Sequence, residues 1–134
     1  MIICRRDLRD VCLSCYFHQF ADQNLYTYDL ATCARRARAI ERLIAHWRAV
    51  LPLRMHEVVY ESLVARPGKE TWRLIDFLGL EREAACHAAH RTERAVTTTG
   101  AWQVREPINA RSVGRWRLYR RHLSGLLEAL GEDA

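Results

Sequence analysis

The sequence predicts an α/β fold that is rich in helices and contains a few parallel strands. An apolar run, Met1 to Arg5, opens the chain and is typical of a short buried strand. A long amphipathic segment over 29–50 predicts a helix, and the run Met55 to Tyr60 predicts a second strand. A helix followed by a strand in this way indicates helices layered on a sheet.

Length and composition are those of a globular protein and exclude several other classes. The chain has 134 residues, of which 49% are apolar and 28% are charged. This excludes collagen, low-complexity disorder and a polytopic membrane protein. No run reaches the roughly 18 apolar residues of a membrane helix, and no secretory signal is recognisable. The five cysteines are irregularly spaced, which favours reduced thiols, so we expect a cytoplasmic protein without a membrane partner.

The charge balance is basic and depends almost entirely on arginine. The formal net charge is +5, and every basic residue except Lys69 is an arginine. Guanidinium groups bind phosphate and sulfate through two parallel hydrogen bonds, so the charge indicates either an anionic partner or a solvated basic surface. The arginine run over 35–38 has no interleaved aromatic residues or known reader motif, so we expect no nucleic-acid partner.

The elements of the first half follow from caps and apolar spacing. A largely apolar helix is predicted from Asp10 to Phe20, with Asp7 or Asp10 near its positive end. The segment 21–28 is expected to be a loop. Asp29 is the expected cap of the long helix, which Pro52 ends. Apolar residues at spacings of three and four predict its buried face: Ile40, Leu43, Ile44, Trp47 and Val50.

The second half is predicted to be mostly helical around one irregular stretch. Short helical pieces are expected over 61–65 and 81–90, and an amphipathic helix over 69–78 with Gly79 as its stop. Its inward residues are predicted to be Trp72, Ile75, Phe77 and Leu78. Residues 91–113 lack periodicity. The last helix is predicted over 113–130, with one apolar stripe made of Trp116, Tyr119, Leu123, Leu126, Leu127 and Leu130. Trp47, Trp72 and Trp116 are predicted to be core residues, whereas Trp102 covers either the core or a ligand.

Two polar residues flank the first strand-to-helix junction. Arg6 follows the strand and Ser14 lies within the next helix. Amides at the start of a helix, together with a guanidinium and a hydroxyl, can hold a phosphate at the carboxyl edge of a parallel sheet. The alternative is structural: Arg6 pairs with Asp7 or Asp10, and Ser14 bonds to its own backbone.

Three ordered segments resemble one enzyme family. Residues 6–17, Arg-Asp-Leu-Arg-Asp-Val-Cys-Leu-Ser-Cys-Tyr-Phe, are similar to the 3'-phosphate-binding motif of sulfotransferases that use 3'-phosphoadenosine 5'-phosphosulfate (PAPS). Residues 59–64 resemble the strand end whose tyrosine contacts the nucleotide. Residues 101–116 resemble the nucleotide-covering loop of the tyrosyl-protein-like bacterial branch, whose members often carry tetratricopeptide repeats.

The resemblance implies a set of residues that bind PAPS, the sulfuryl donor. Arg6 and Ser14 would hold the 3'-phosphate, and Tyr60 would lie along the adenosine. Arg115 would supply a second cation, and the backbone of 101–110 would cover the nucleotide. The residues assigned to this cofactor site are therefore Arg6, Ser14, His18, Tyr60, Ala101, Trp102, Gln103, Val104, Arg105 and Arg115.

The sequence departs from the family pattern at several positions. Leu8 stands where the family commonly has proline, and Arg115 where the tyrosyl-protein enzymes have lysine. His18 stands where those enzymes have an arginine that touches the phosphate, so this contact depends on an imidazole N–H. The serine that helps to stabilise the transition state falls at Gly100-Ala101, and Thr99 is the nearest hydroxyl.

The largest departure concerns the phosphosulfate side of the site. The Gly/Ser/Thr-rich loop that cradles the 5'-phosphosulfate in the family, and the acceptor-side base, have no counterpart in residues 1–134. Sulfuryl transfer to a hydroxyl acceptor requires both. We therefore expect residues 1–134 to form the C-terminal portion of a P-loop-like sulfotransferase domain, inactive by itself, with unassigned catalytic residues. The alternative is a non-catalytic basic helical module that binds an anionic partner or another subunit.

The remaining cysteines and histidines predict no metal site. Cys12, Cys15 and His18 are three residues apart on a helix, so the third side chain points well away from the first. No thioredoxin-like pattern precedes the two cysteines, which are therefore expected to be buried structural thiols.

Overall fold

The computed structural model describes residues 1–18, 20, 22–91 and 103–131. The strands are β1 (Ile2–Arg5) and β2 (His56–Val59), and the α-helices are α1 (Leu8–Phe17), α2 (Leu30–Val50), α3 (Tyr60–Ala65), α4 (Pro67–Leu78) and α5 (Ser124–Leu130). Segments of 3-10 helix cover Asp22–Tyr28, Ala84–Arg91, Gln103–Arg105 and Arg115–His122. The chain divides into two compact units, here called the sheet unit (Ile2–Arg5 and His56–Ala110) and the helical unit (Met1, Arg6–Met55 and Arg111–Ala134).

The sheet unit contains the two strands, which pair in parallel. Ile2 lies opposite His56 and Arg5 lies opposite Val59. Parallel neighbours require a long crossover connection, and the chain between these strands contains α1 and α2. The helix-rich α/β fold with parallel strands is therefore confirmed.

Helices α3 and α4 follow β2 and continue the sheet unit. Pro67 begins α4, where its missing N–H costs nothing. The ring of His56 on β2 stacks on Phe77 of α4, with centroids 5.1 Å apart. Gly79 ends α4 in the left-handed conformation at φ 69°, as its sequence position predicted. Leu78, predicted to face inward, is exposed at the end of the helix.

The helical unit contains a continuous apolar core. Helix α2 packs against α1 and α5. Small residues of α2, Cys33, Ala34 and Ala37, allow this close approach. The buried cluster consists of Cys12, Leu13, Cys33, Ala34, Ala37, Trp116, Leu123, Leu126, Leu127 and Leu130. The predicted stripe of the last helix is therefore largely buried, and Trp116 is a core residue.

The buried face of α2 differs from the predicted one. Its start at Leu30 and its cap, Asp29, are confirmed, because the carboxylate accepts from the Thr32 amide at 2.7 Å. The prediction that the apolar stripe over 40–50 faces the core is wrong, since most of its side chains are exposed. Trp47 is 37% exposed and is not a core residue, whereas Trp72 is half-buried and meets the edge of the His87 ring. The spacing identified an apolar stripe but could not show which part of the helix has packing partners.

Three predicted boundaries also require correction. Helix α1 begins at Leu8, not at Asp10, and ends at Phe17; residues 22–28 form a 3-10 segment in place of a loop. The last helix is two segments that meet at Leu123. Its apolar spacing continues through Leu123, so periodicity could not reveal the break. No helix among the described residues has the length and apolarity needed to cross a membrane.

Replacing Gly79 by alanine is expected to destabilise the protein by about 1 kcal/mol, because a side chain disfavours positive φ by roughly that amount. No heavy atom lies within 4 Å of the added Cβ, so backbone strain is the cause. The control is Gly125→Ala, which has equal space within α5 and should stabilise by about 0.5 kcal/mol. Urea-induced unfolding measures both. A Gly79→Ala change without loss of stability would contradict the left-handed helix end.

Candidate functional site

A buried carboxylate joins α1 to the chain that follows residue 110. Asp10 is 1% exposed. Its Oδ2 accepts a hydrogen bond from the Gly114 amide at 2.6 Å, and its Oδ1 accepts from the Trp116 amide at 2.8 Å. These amides lie at the start of the 3-10 segment Arg115–His122, where backbone N–H groups lack partners within the helix. Asp10 therefore caps an element more than a hundred residues further along the chain.

Arg6 makes a second link between the same two parts of the helical unit. Its Nη2 donates to the Ser112 carbonyl oxygen at 2.6 Å. Burial raises the pKa of the Cys15 thiol, and the positive charge of Arg6 opposes this effect. The Arg6–Ser112 hydrogen bond is a charge-assisted contact to a backbone carbonyl, of the kind that orders an arginine side chain.

Asp7 and Arg9 form an ion pair at the start of α1. Asp7 caps the helix by accepting from the Arg9 amide at 2.9 Å, and Arg9 Nη2 donates to Asp7 Oδ2 at 2.6 Å. Burial by itself raises the pKa of Asp7, but the hydrogen bonds and charge of Arg9 outweigh it and hold the pKa below 3.8. The Arg9 guanidinium also lies 4.1 Å from the centroid of the Trp116 ring. Asp7 is thus the helix cap, and Asp10 has a different role.

The other predicted ligands of the helical unit lie along or beside α1. Ser14 lies in the second turn, and its carbonyl oxygen is 3.3 Å from Nδ1 of His18, the residue that ends the helix. The Arg115 guanidinium lies 5.2 Å from the centroid of the Phe17 ring. The structure therefore brings Arg6, Ser14, His18 and Arg115 into one unit, with Arg6 before α1 and Arg115 at its far end.

The sheet unit holds the predicted adenosine-side residues. Tyr60 is the first residue of α3, and its hydroxyl donates to the Asn109 carbonyl oxygen at 3.4 Å. It therefore contacts the end of the predicted covering loop. Gln103, Val104 and Arg105 form one 3-10 turn, in which Val104 and Arg105 are exposed. Ala101 and Trp102, together with Thr99 and Gly100, lie outside the described residues.

The cysteines in the core of the helical unit are poor nucleophiles. Burial raises the pKa of Cys12 to about 12 and that of Cys33 to about 11, and neighbouring thiols add to the effect. Cys33 Sγ donates to the Tyr26 carbonyl oxygen at 3.4 Å. Within the described ranges, no three side chains among His, Cys, Asp and Glu form a group suited to a metal ion.

The structural role of Asp10 was not predicted from the sequence. Asp7 and Asp10 were equivalent candidates for the positive end of α1, and Trp116 was predicted only as a core residue. One signal was available: a single helix start needs one cap, which left the second aspartate without an assigned partner. The glycine at position 114 also pointed to a bend just before Arg115, and in the structure it adopts φ 67°.

Comparisons with known proteins relate the chain to one family. The model of a family described as the sulfotransferase family matches residues 1–84, which include Arg6, Ser14, His18 and Tyr60. An uncharacterized protein of Aquifex aeolicus (strain VF5) is 30% identical over 131 residues, covering 96% of this chain and 17% of the relative. The chain therefore spans less than a fifth of the length of that relative.

Asp10→Ala is expected to destabilise the protein by about 2–4 kcal/mol, because it leaves the buried Trp116 amide and the partly buried Gly114 amide without acceptors, at roughly 1–3 kcal/mol each. Hydrogen exchange at the Gly114 and Trp116 amides should accelerate. The matched control is Asp76→Ala, which removes an exposed pair with Arg82 and should change stability much less. Equal losses for the two variants would contradict the capping role of Asp10.

Asp7→Asn should make the protein less sensitive to acid. The folded pKa of Asp7 lies below the ordinary value of 3.8, so its contribution is complete above that value and is lost as the pH falls toward the folded pKa. Asparagine still caps a helix but does not titrate. Urea unfolding between neutral pH and pH 3 should therefore show a shallower loss for the variant, whereas identical curves would exclude this contribution.

Proposed function

The chain belongs to the sulfotransferase family, and from this premise we propose that it carries the 3'-phosphate and adenosine side of a PAPS site. The single observation that carries the proposal is the position of Arg6. This residue lies within the residues that match the family, just before α1, and its side chain is held by a hydrogen bond to the Ser112 carbonyl oxygen. In this proposal Arg6 and Ser14 bind the 3'-phosphate, and PAPS supplies the sulfuryl group.

The electrostatics of the helical unit support an oxyanion near Arg6. The two carboxylates beside α1 are both engaged: Asp7 with Arg9, and Asp10 with the amides of Gly114 and Trp116. The charge of Asp7 is compensated by Arg9, and the carboxylate of Asp10 is stabilised by two amide donors. Arg6, Ser14, His18 and Arg115 supply the types of donor that a phosphate accepts.

The proposed roles extend to the sheet unit. Tyr60 lies along the adenosine, and the segment 101–110, which includes Ala101, Trp102, Gln103, Val104 and Arg105, covers the nucleotide. The contact of the Tyr60 hydroxyl with the Asn109 carbonyl supports a shared role for these two segments. The likeness of 101–116 to the tyrosyl-protein-like bacterial branch supports placing the chain in that branch.

The reaction proposed for the whole enzyme is sulfuryl transfer to a hydroxyl. The bond between sulfur and the bridging oxygen of PAPS breaks, a bond from the acceptor oxygen to sulfur forms, and the acceptor proton passes to a base. We propose that residues 1–134 are the C-terminal portion of this domain. The phosphosulfate loop and the base lie outside the residues assigned here, so this chain by itself binds the nucleotide without transferring sulfuryl groups.

Calorimetry of the 134-residue chain with 3'-phosphoadenosine 5'-phosphate tests the proposal. Arg6→Ala should weaken binding by about ten- to a hundredfold, since a hydrogen bond to a charged group contributes roughly 1.5–3 kcal/mol. Ser14→Ala should weaken it by about tenfold, because its hydroxyl donates one hydrogen bond to the charged phosphate. Arg42→Ala, an exposed change on α2, is the control and should leave the affinity unchanged.

Ser14→Ala keeps the experiment decisive if Arg6→Ala loosens the contact to Ser112. Circular dichroism verifies that each variant is folded. Unchanged affinity in both variants would remove Arg6 and Ser14 from the site. Equal affinity for adenosine bisphosphate and ATP, with a steep dependence on salt, would favour the basic binding module instead.

A further inference from the structure

A second group of arginines lines a pocket in the helical unit. The pocket has a volume of about 550 Å³ and is lined by Arg117, Leu118, Arg120, Arg121, Ser124 and Leu127. None of these residues is assigned to the nucleotide. The three guanidiniums come from one 3-10 segment, and Ser124 is the first residue of α5.

The lining of this pocket carries only positive formal charge. Its six residues include three arginines and no carboxylate. The sequence between Glu106 and Glu128 likewise contains five arginines and His122 but no acidic residue. Arg121 Nε donates to Nε2 of His122 at 2.9 Å, so this contact leaves the charge of Arg121 intact. The pocket is therefore a concentrated positive patch.

The helix geometry sets the spacing of the charges. In a 3-10 helix, side chains three residues apart lie one above the other, about 6 Å apart along the axis. Arg117 and Arg120 have this separation within Arg115–His122. Like charges at such spacing repel each other, and an anion between them relieves the repulsion. Two or more linked anionic groups would match consecutive guanidiniums better than one small anion.

Part of the pocket is held in place by the core. Leu127 is 2% exposed, and Arg117 lies 5.6 Å from the centroid of the Trp116 ring. Trp116 is itself 6% exposed and bonded through its amide to Asp10. One wall of the pocket therefore rests on the buried core, and the Trp116 ring restricts Arg117, which reduces the entropy lost when a ligand orders that side chain.

We propose that this pocket binds an oligoanion made of two or more linked phosphate or sulfate groups. Arg117, Arg120 and Arg121 bind its oxygens through charge-assisted hydrogen bonds, and the Ser124 hydroxyl donates one more. The site is separate in residues and ligand from the proposed nucleotide site and does not depend on it. Guanidinium forks bind carboxylate, phosphate and sulfate alike. The ligand class follows instead from spacing, because three guanidiniums of one short segment share a single pocket, which favours a compact oligoanion over a peptide whose carboxylates are spread along a chain.

Calorimetry of the full 134-residue chain with inorganic tripolyphosphate tests this site. The double variant Arg120→Gln with Arg121→Gln should weaken binding by at least about tenfold, because it removes two charged donors. The matched control is Arg35→Gln with Arg42→Gln, which removes the same charge from exposed positions of α2. The control should retain the parent affinity within about twofold, as expected for a screened distant charge.

Amide chemical shifts provide a second measurement that does not depend on affinity. Tripolyphosphate should perturb residues 115–124 in the parent and in the control, but not in the pocket variant. Equal weakening of both double variants would overturn the proposal in favour of non-specific attraction. Tighter binding of an oligoglutamate peptide of equal charge would overturn the assignment of the ligand class.

The two sites can be tested independently. Arg6→Ala should retain the affinity for tripolyphosphate, and the pocket variant should retain the affinity for 3'-phosphoadenosine 5'-phosphate. A pocket variant that loses both ligands equally would contradict a separate site.

Discussion

The helical unit depends on one buried carboxylate, that of Asp10. Taking a charge out of water costs several kcal/mol unless it is bonded, and here the Gly114 and Trp116 amides provide the bonds. The same contacts satisfy donors that the following 3-10 segment cannot satisfy internally. The chain around residue 114 therefore has a defined position against α1. Arg6 reinforces this position through the Ser112 carbonyl.

The two proposed anion sites lie on either side of the Asp10 contacts. Arg6 lies on the α1 side of the link, and Arg115 and Arg117 flank Trp116 directly beyond it. Other arginines have structural partners. Arg38 donates to the Leu130 carbonyl at the end of α5, and Arg82 pairs with Asp76. The chemical role of an arginine here follows from its neighbours. Net charge alone, which is +5, favours anions in general but does not locate them.

Local patterns predicted those elements whose causes are local. The Asp29 cap and the Gly79 helix end depend on residues within a few positions of one another. Each strand was likewise recognised from a short apolar run, although the pairing itself joins Ile2 to His56. The stripe over 40–50 on α2 was equally regular, but the prediction that it faces the core was wrong. Periodicity reports that a helix has an apolar face, whereas burial requires a partner for that face. The break at Leu123 was hidden for a similar reason, because the apolar spacing continued across it.

The sequence by itself determined the fold class, the kinds of elements and the resemblance that led to the sulfotransferase family. It also singled out Arg6 and Ser14, because a strand followed by a helix start is recognisable in a short window. Only the tertiary structure decided that Asp7 caps α1 while Asp10 binds amides more than a hundred residues away, and that Arg6 contacts Ser112. Propensities and caps act over a few residues, but a buried charge takes whichever donors the folded chain brings to it. Such partners are a property of the packing, which no short stretch of sequence specifies.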